Sequence, residues 1–320
     1  MTTYKEINGT NIEAVASDPS NPVDGQVWYN TTSNTVKANY INPGAWATGN
    51  SLNTTRYGLA GAGIQTAALA FGGLPPPAAT GVTESYNGTN WTEVNDLGTA
   101  RYRLAGCGAT NTAALAFGGA ISPEVLKNET ETWNGTNWTE VNNLNTARFV
   151  LAGAGTNTAA LAFGGGVPAV TAVTELWNGT NWTEVNDLNT ARRKLAGVGA
   201  SNTAALAFGG GPPNTAVTET WNGTNWTEVN DMGTARYSLA GAGTNTAALG
   251  FGGYSPTGVT ETWNGTNWTE VGDLNTGRGY LGGAGTNTAA LAFGGYITPG
   301  ATTATEEWSA GPATVTFDNS

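Results

Sequence analysis

The stretch Thr190–Val229, TARRKLAGVGASNTAALAFGGGPPNTAVTETWNGTNWTEV, decides the fold because close copies of it recur along the 320-residue chain. The Phe-Gly-Gly triplet near its centre begins at Phe71, Phe117, Phe163, Phe208, Phe251 and Phe293. The spacing between these triplets shortens only from 46 to 42 residues. A nearly constant period of this length indicates a repeat architecture in which each unit buries its apolar faces against its neighbours.

Each unit contains four short β-strand patterns, named a to d in chain order. In the quoted unit they are KLAGVG, AALAFGG, VTETW and NWTEV. Asn-Gly between strands c and d is a strong hairpin signal, because both residues tolerate the positive φ of a tight turn. WNGTNW therefore predicts a hairpin with an aromatic residue at each shoulder. The hexapeptide begins at Trp133, Trp177, Trp221 and Trp263, and returns as YNGTNW from Tyr86.

A four-stranded sheet of this size cannot bury its own faces, whereas a radial stack of such sheets can, and four strands in a period of 40 to 50 residues are typical of a β-propeller. The glycine pair after strand b, the aromatic residue of strand c, the Trp of strand d and the Arg before strand a resemble the kelch repeat. The resemblance covers residues 44–310, although strand a lacks bulky aliphatic residues and the usual His and Val. It implies an all-β, six-bladed kelch-like β-propeller of four-stranded blades.

The two ends of the repeat region complement each other. The last unit ends at Trp308 without an NGTNW segment, whereas GAWATGNSLNTTR around Trp46 aligns with TNWTEVNDLNTAR. An N-terminal strand is therefore predicted to complete the sixth blade, which would remove the open sheet edges. The predicted organisation is an attachment or linker segment at 1–25, a β-hairpin at 26–43, the propeller at 44–310, and a C-terminal strand or tail at 311–320.

Composition excludes several classes of function. The net charge of −11 with only 12 Lys and Arg argues against nucleic acid as a partner. Because the chain has no His, a Ser-His-Asp triad and a His metal site are excluded, and we predict no enzyme activity, cofactor or bound metal. Cys107 replaces an Ala of other units and is expected to be a small apolar residue. No apolar window is long enough for a membrane span, and no signal peptide is evident, so synthesis in a cytoplasm is expected.

Two charged positions recur in register. One is an arginine before strand a, at Arg56, Arg101, Arg148, Arg192, Arg236 and Arg278. The other is a glutamate of strand c, at Glu84, Glu131, Glu175, Glu219, Glu261 and Glu306. We predict a structural ring in which each Arg secures backbone carbonyls or a Glu of the same or a neighbouring blade. The alternative is a ring of acids that binds cations or substrate. Likewise, the recurrent tryptophans are expected to fill the gaps between blades, with ligand stacking as the alternative.

The loops between strands b and c are the part of the unit that varies. Each contains Pro, which stiffens a loop and lowers the ordering cost of binding. Variable loops on a repeated scaffold are typical recognition sites. The candidate contact residues are Glu124, Lys127, Tyr254 and Tyr296. The alternative is that these loops merely tolerate differences in length.

The segment SDPSNPVDGQVWYNTTSNTVK at 17–37 and the His-free, Trp-Asn-Thr-rich units are similar to kelch-like proteins of tailed bacteriophages, especially marine ones. That resemblance implies a non-enzymatic virion structural protein, made in the host cytoplasm and acting as a tail-fibre, decoration or adhesion module. The implied partners are other virion proteins or a host cell surface, within a larger assembly. The alternatives are a lectin-like glycan-binding propeller and, last, a hydrolase that uses only carboxylates.

Overall fold

The structure is a computed structural model that describes residues 12–121, 125–167 and 169–317. Throughout these residues the regular secondary structure is β, without a helix, so the all-β prediction is confirmed. The chain divides into two compact bodies. The terminal body comprises Met1–Gly44 and Ser309–Ser320, and the repeat body comprises Ala45–Trp308.

The strands are numbered in chain order, and the six repeats follow the N-terminal strands. The N-terminal strands and the first repeat are β1 (Glu13–Val15), β2 (Val27–Asn30), β3 (Thr35–Gly49), β4 (Ala60–Ile64), β5 (Ala67–Phe71), β6 (Thr83–Tyr86) and β7 (Trp91–Val94). The second repeat contains β8 (Ala105–Thr110), β9 (Ala113–Phe117), β10 (Ala120–Ile121), β11 (Val125–Leu126), β12 (Thr130–Trp133) and β13 (Trp138–Val141). The third contains β14 (Ala152–Gly155), β15 (Ala160–Phe163), β16 (Gly166–Val167), β17 (Ala169–Val170), β18 (Thr174–Trp177) and β19 (Trp182–Val185).

The remaining repeats follow the same plan. The fourth contains β20 (Ala196–Ser201), β21 (Ala204–Phe208), β22 (Thr218–Trp221) and β23 (Trp226–Val229). The fifth contains β24 (Ala240–Gly243), β25 (Ala248–Phe251), β26 (Thr260–Trp263) and β27 (Trp268–Glu270). The sixth contains β28 (Gly282–Gly285), β29 (Ala289–Phe293), β30 (Tyr296–Ile297), β31 (Gly300–Ala301) and β32 (Thr305–Phe317).

Five repeats each form a four-stranded antiparallel sheet in the order a, b, c, d. These sheets are β4-β5-β6-β7, β8-β9-β12-β13, β14-β15-β18-β19, β20-β21-β22-β23 and β24-β25-β26-β27. In the second, third and sixth repeats the loop after strand b adds a short two-stranded ribbon, β10-β11, β16-β17 or β30-β31. A series of such sheets is the repeated pattern typical of a β-propeller.

The c–d hairpin forms where Asn-Gly predicts it. In the fourth repeat Trp221 is paired directly with Trp226 across the hairpin. Gly223 has a φ of +94°, and Asn222 Oδ1 accepts hydrogen bonds from the Asn225 and Thr224 amides at 2.9 Å. The Asn side chain therefore closes the turn on its own backbone, as Asn does in Asx-turns.

Adjacent repeats pack through the Trp of strand d and the Phe of strand b. The ring centroids of Trp226 and Phe163 of the preceding repeat are 4.9 Å apart. Trp226 Nε1 donates a hydrogen bond to Thr174 Oγ1 at 3.0 Å. The corresponding ring pairs are Trp46–Phe251, Trp91–Phe293, Trp138–Phe71, Trp182–Phe117 and Trp268–Phe208. These aromatic contacts, which are edge-on or tilted, stabilise each junction beyond simple area burial. Trp91 of the first repeat thus meets Phe293 of the sixth.

Strand a requires glycine where it approaches the preceding repeat. A Cβ built on Gly197 would lie 2.5 Å from Cζ of Phe163 and 3.0 Å from the Gly153 carbonyl oxygen. A side chain cannot fit at this position without displacing a buried ring or backbone. The Gly and Ala content of strand a therefore allows the first strands of neighbouring repeats to pack closely.

The sixth repeat takes its fourth strand from the N-terminal side of the repeats. Its sheet order is β28-β29-β32-β3, with residues 45–49 of β3 in the position that strand d has elsewhere. The ring centroids of Trp46 and Trp308 are 5.4 Å apart. The Trp46 carbonyl accepts a hydrogen bond from Asn275 Nδ2 at 3.1 Å. Trp46 therefore makes in the sixth repeat the contacts that the strand-d Trp makes in the others.

The terminal body contains β1, β2, the first part of β3 and the last part of β32. β1 pairs in parallel with β2, which pairs antiparallel with β3. Asp18 holds these strands together: Oδ1 accepts from Trp28 Nε1 at 2.9 Å and Asn30 Nδ2 at 2.7 Å, and Oδ2 accepts from Lys37 Nζ at 2.7 Å. The β1 strand has three residues and no apolar alternation, so the sequence pattern did not indicate it.

We expect the terminal body to lose stability in acid through Asp18. The hydrogen bonds from Lys37, Asn30 and Trp28 lower the pKa of Asp18 to about 2. Because the folded-state pKa lies below the unfolded one, this stabilisation is complete above pH ~4 and is lost as pH falls towards 2. In an NMR titration the Trp28 indole N–H signal should move with a midpoint near pH 2, and Asp18→Asn should abolish that movement while Asp24→Asn should not. A midpoint near pH 4 would contradict the assigned contacts.

Candidate functional site

The recurrent Arg and Glu form one buried ion pair in each repeat. In the fourth repeat Arg192 Nη2 lies 3.2 Å from Glu219 Oε1. The other pairs are Arg56–Glu84 at 2.9 Å, Arg101–Glu131 at 3.1 Å, Arg148–Glu175 at 3.0 Å, Arg278–Glu306 at 3.2 Å and Arg236–Glu261. All twelve side chains are at most 4% exposed. The pairs join strand c to the segment before strand a of the same repeat.

The third repeat illustrates what each pair holds. Arg148 donates to the carbonyls of Gly164 at 3.1 Å and Ala162 at 3.2 Å, and Glu175 accepts from the Asn145 amide at 2.7 Å. Burial lowers the pKa of Arg148, and the Glu175 carboxylate opposes that shift. The pair therefore fixes the end of strand b, strand c and the connection into strand a. Residues 12–121, 125–167 and 169–317 contain no cluster of three or more His, Cys, Asp or Glu that could hold a metal.

A second set of recurrent positions, two residues after each Arg, forms what we call the axial ring. Its members are Gly58, Arg103, Val150, Lys194, Ser238 and Tyr280. Each backbone N–H donates to the carbonyl of the member in the preceding repeat at 2.6 to 2.9 Å, and the Gly58 amide donates to Tyr280 at 2.7 Å. All six have φ between 48° and 63°, although five are not glycine. This costly conformation is retained because every member is held by two ring hydrogen bonds.

The side chains of the axial ring place two cations beside one tyrosine. The Arg103 Cζ lies 5.1 Å from the Tyr102 ring centroid and 5.4 Å from that of Tyr280. Lys194 Nζ lies 4.6 Å from the ring centroid of Tyr237 and 5.8 Å from that of Tyr280. Cation–π attraction of this kind positions a cation without neutralising its charge. A cavity of about 90 Å³ lies within the axial ring.

Tyrosines from distant parts of the chain adjoin these cations. The ring centroid of Tyr254 lies 5.6 Å from that of Tyr237, 5.8 Å from that of Tyr280 and 6.2 Å from that of Tyr296. The ring centroids of Tyr296 and Tyr57 are 5.7 Å apart. All five rings are partly buried. The tyrosine mouth is defined here as Tyr57, Tyr237, Tyr254, Tyr280 and Tyr296 together with Arg103 and Lys194.

Of the four contact residues predicted from the variable loops, the structure brings Tyr254 and Tyr296 together in the tyrosine mouth. Lys127 instead donates to Glu129 in its own loop at 2.6 Å. Glu124 lies outside the described residues.

The axial-ring members of the mouth were not predicted from the sequence. The signal that could have revealed them is variation inside a constant frame: Gly, Arg, Val, Lys, Ser and Tyr occupy one position between an invariant Arg and an invariant Leu. Such variation among internal copies marks a position that packing does not dictate.

The fold and the mouth define an all-β protein of repeated four-stranded sheets with a variable, cation- and tyrosine-lined site. No protein-family model and no curated protein matches the chain. In the part of the chain that the structure describes, no helix is long and apolar enough to cross a membrane.

Proposed function

We propose that the six repeats close into one six-bladed, kelch-like β-propeller that serves as a non-enzymatic recognition module. Three contacts between the first and sixth repeats support closure. The Gly58 amide donates to the Tyr280 carbonyl at 2.7 Å, Trp91 Nε1 donates to Thr305 Oγ1 at 3.0 Å, and Gln65 Nε2 donates to the Trp308 carbonyl at 2.6 Å. The first two of these contacts are also made, by the corresponding residues, at the other junctions between repeats.

The observation that carries the recognition role is the tyrosine mouth. One backbone position, held in the same conformation six times, places a glycine and five different side chains around one cavity. A rigid frame with variable side chains is suited to binding, because little conformational entropy is lost when a partner is engaged. The buried, recurrent glutamates of strand c are each paired with an Arg and are not available as the carboxylates of a hydrolase. Failure to cleave a panel of chromogenic glycosides is therefore expected.

We place this module in a virion, as a tail-fibre, decoration or adhesion protein, because of its resemblance to kelch-like bacteriophage proteins. The terminal body supports an attachment role. Seven large hydrophobic side chains of the described residues are strongly exposed, and five of them belong to the terminal body: Val23, Tyr40, Ile41, Val315 and Phe317. Exposed apolar side chains mark a surface that binds another protein where they form one patch. The terminal body would join the particle, and the tyrosine mouth would contact a host surface or a neighbouring subunit.

Charge substitutions in the full-length chain test this attachment. Ile41 is 57% exposed in the terminal body, and Ile64 is 46% exposed in the repeat body. Ile41→Asp should prevent incorporation into purified virus particles, measured by immunoblot, because burying an unpaired carboxylate in an interface is costly. The matched variant Ile64→Asp should be incorporated normally. Equal incorporation of both variants, or absence of the wild-type protein from particles, would refute the assignment.

The alternative is a lectin-like propeller that binds glycans without being part of a particle. The observation that favours it is the cluster of partly buried phenol rings, which offer both apolar faces and hydroxyl groups. Glycan-array binding by a protein that is absent from particles would select this alternative.

A further inference from the structure

The cations of this acidic protein are distributed unevenly. Six arginines form the buried pairs, and Lys37 and Lys127 pair with Asp18 and Glu129. By contrast, Lys194 belongs to the axial ring, and Arg193 precedes it in the chain. Neither Arg193 nor Lys194 forms an ion pair with an acid of the described residues. Within the described residues, Lys194 therefore brings to the tyrosines of the mouth a positive charge that no acid neutralises.

The volume of the cavity within the axial ring limits the size of the group that can enter it. A water needs roughly 10–15 Å³ of cavity, so a cavity of about 90 Å³ has room for a small charged group and some water. The rest of a ligand would lie on the partly buried tyrosines. Burial raises the pKa of Tyr57 and Tyr237 above the usual phenol value, so both rings are neutral at physiological pH and do not repel an anion.

The backbone around the mouth does not favour a peptide. The residue before each ring position already forms a β-bridge with its own variable loop, as Tyr237 does with Tyr254 and Gly279 with Tyr296. These bridges occupy the backbone groups that an extended peptide uses when it adds to a strand edge. A ligand with apolar ring faces, hydroxyl groups and one anionic substituent fits the available surfaces better.

We propose that the tyrosine mouth binds an acidic saccharide, with the carboxylate held by Lys194 and the sugar ring stacked on the tyrosines. A charge-assisted hydrogen bond from Lys194 supplies specificity for the acid. Tyr254 and Tyr296 supply rigid rings that lose little side-chain entropy on binding. This inference rests on the recognition role of the mouth but is independent of attachment to a particle.

Calorimetry with trigalacturonic acid and its trimethyl ester tests the proposal on the full-length protein. The acid should bind, and the uncharged ester should bind at least about tenfold more weakly, because a charge-assisted hydrogen bond contributes enough for roughly that factor. Lys194→Met should weaken binding of the acid by a similar factor, whereas Lys194→Arg, which keeps the charge, should restore most of it. Lys37→Met removes the same charge from the terminal body and should leave binding unchanged.

Each outcome decides for or against the acidic saccharide. Equal binding of acid and ester, no binding of either at millimolar concentration, or tighter binding of hexaglutamate than of the acid would overturn it. Thermal unfolding of Lys194→Met at the wild-type temperature shows that lost affinity is not lost folding. Particle incorporation is measured separately with Ile41→Asp. Failure of the saccharide test therefore leaves the virion assignment intact, and failure of the incorporation test leaves the saccharide proposal intact.

Discussion

Replacing Arg148 with Met should lower the free energy of unfolding by about 3–5 kcal/mol, the usual cost of removing one partner from a buried ion pair. The substitution leaves the Glu175 carboxylate buried without its cation and removes the donor from the Gly164 and Ala162 carbonyls. Because folded domains are stable by only about 5–15 kcal/mol, the variant should unfold at a clearly lower denaturant concentration.

Two further variants separate the ion pair from other causes. Glu184 is exposed and lies directly opposite Glu175 on the neighbouring strand, so Glu184→Gln should change stability by less than about 0.5 kcal/mol. Adding Glu175→Gln to Arg148→Met should recover part of the loss, because it removes the uncompensated buried charge. If Arg148→Met is as stable as Glu184→Gln, the recurrent pairs do not hold the sheets as described.

Replacing Trp91 with Ala should cost about 3–5 kcal/mol, as expected for a large buried aromatic side chain. Trp91 is 5% exposed, lies 5.0 Å from Phe293, and donates to Thr305 of the sixth repeat at 3.0 Å. Trp226 is equally buried at the junction of the third and fourth repeats, so Trp226→Ala is the matched comparison. In a closed ring the two substitutions should be about equally destabilising when both are measured by urea unfolding.

The contrast between these two tryptophans distinguishes a ring from an open arc. In an arc, Trp91 would cover a free end of the first repeat, and its removal would expose no partner in the sixth. A much smaller effect of Trp91→Ala than of Trp226→Ala would therefore contradict closure.

The sequence was most informative where local chemistry determines local structure. Asn-Gly fixes the c–d hairpin because its backbone and side chain favour that turn in any context. The alignment of Trp46 with the strand-d tryptophans likewise placed the N-terminal segment in the sixth sheet, because each repeat contains the same four strands. Both inferences depend on residues that are near one another in the chain or repeated in register.

The tyrosine mouth could not be derived in this way. Tyr57 and Tyr296 are separated by more than 200 residues and meet only because the first and sixth repeats are neighbours. The left-handed conformation of Arg103 and Lys194 was also unexpected, because isolated residues of these types rarely adopt it. Hydrogen bonds between repeats, rather than local propensity, determine the axial ring.

Hydrogen exchange at the six axial-ring amides tests closure most directly. Five of these hydrogen bonds join consecutive repeats, whereas the bond from the Gly58 amide to Tyr280 joins the first repeat to the last. We predict that the Gly58 amide is protected to the same extent as those of Val150, Lys194 and Ser238, because opening any one bond requires separating two packed repeats. Rapid exchange at Gly58 alone, with the other amides protected, would show that the repeats form an open arc.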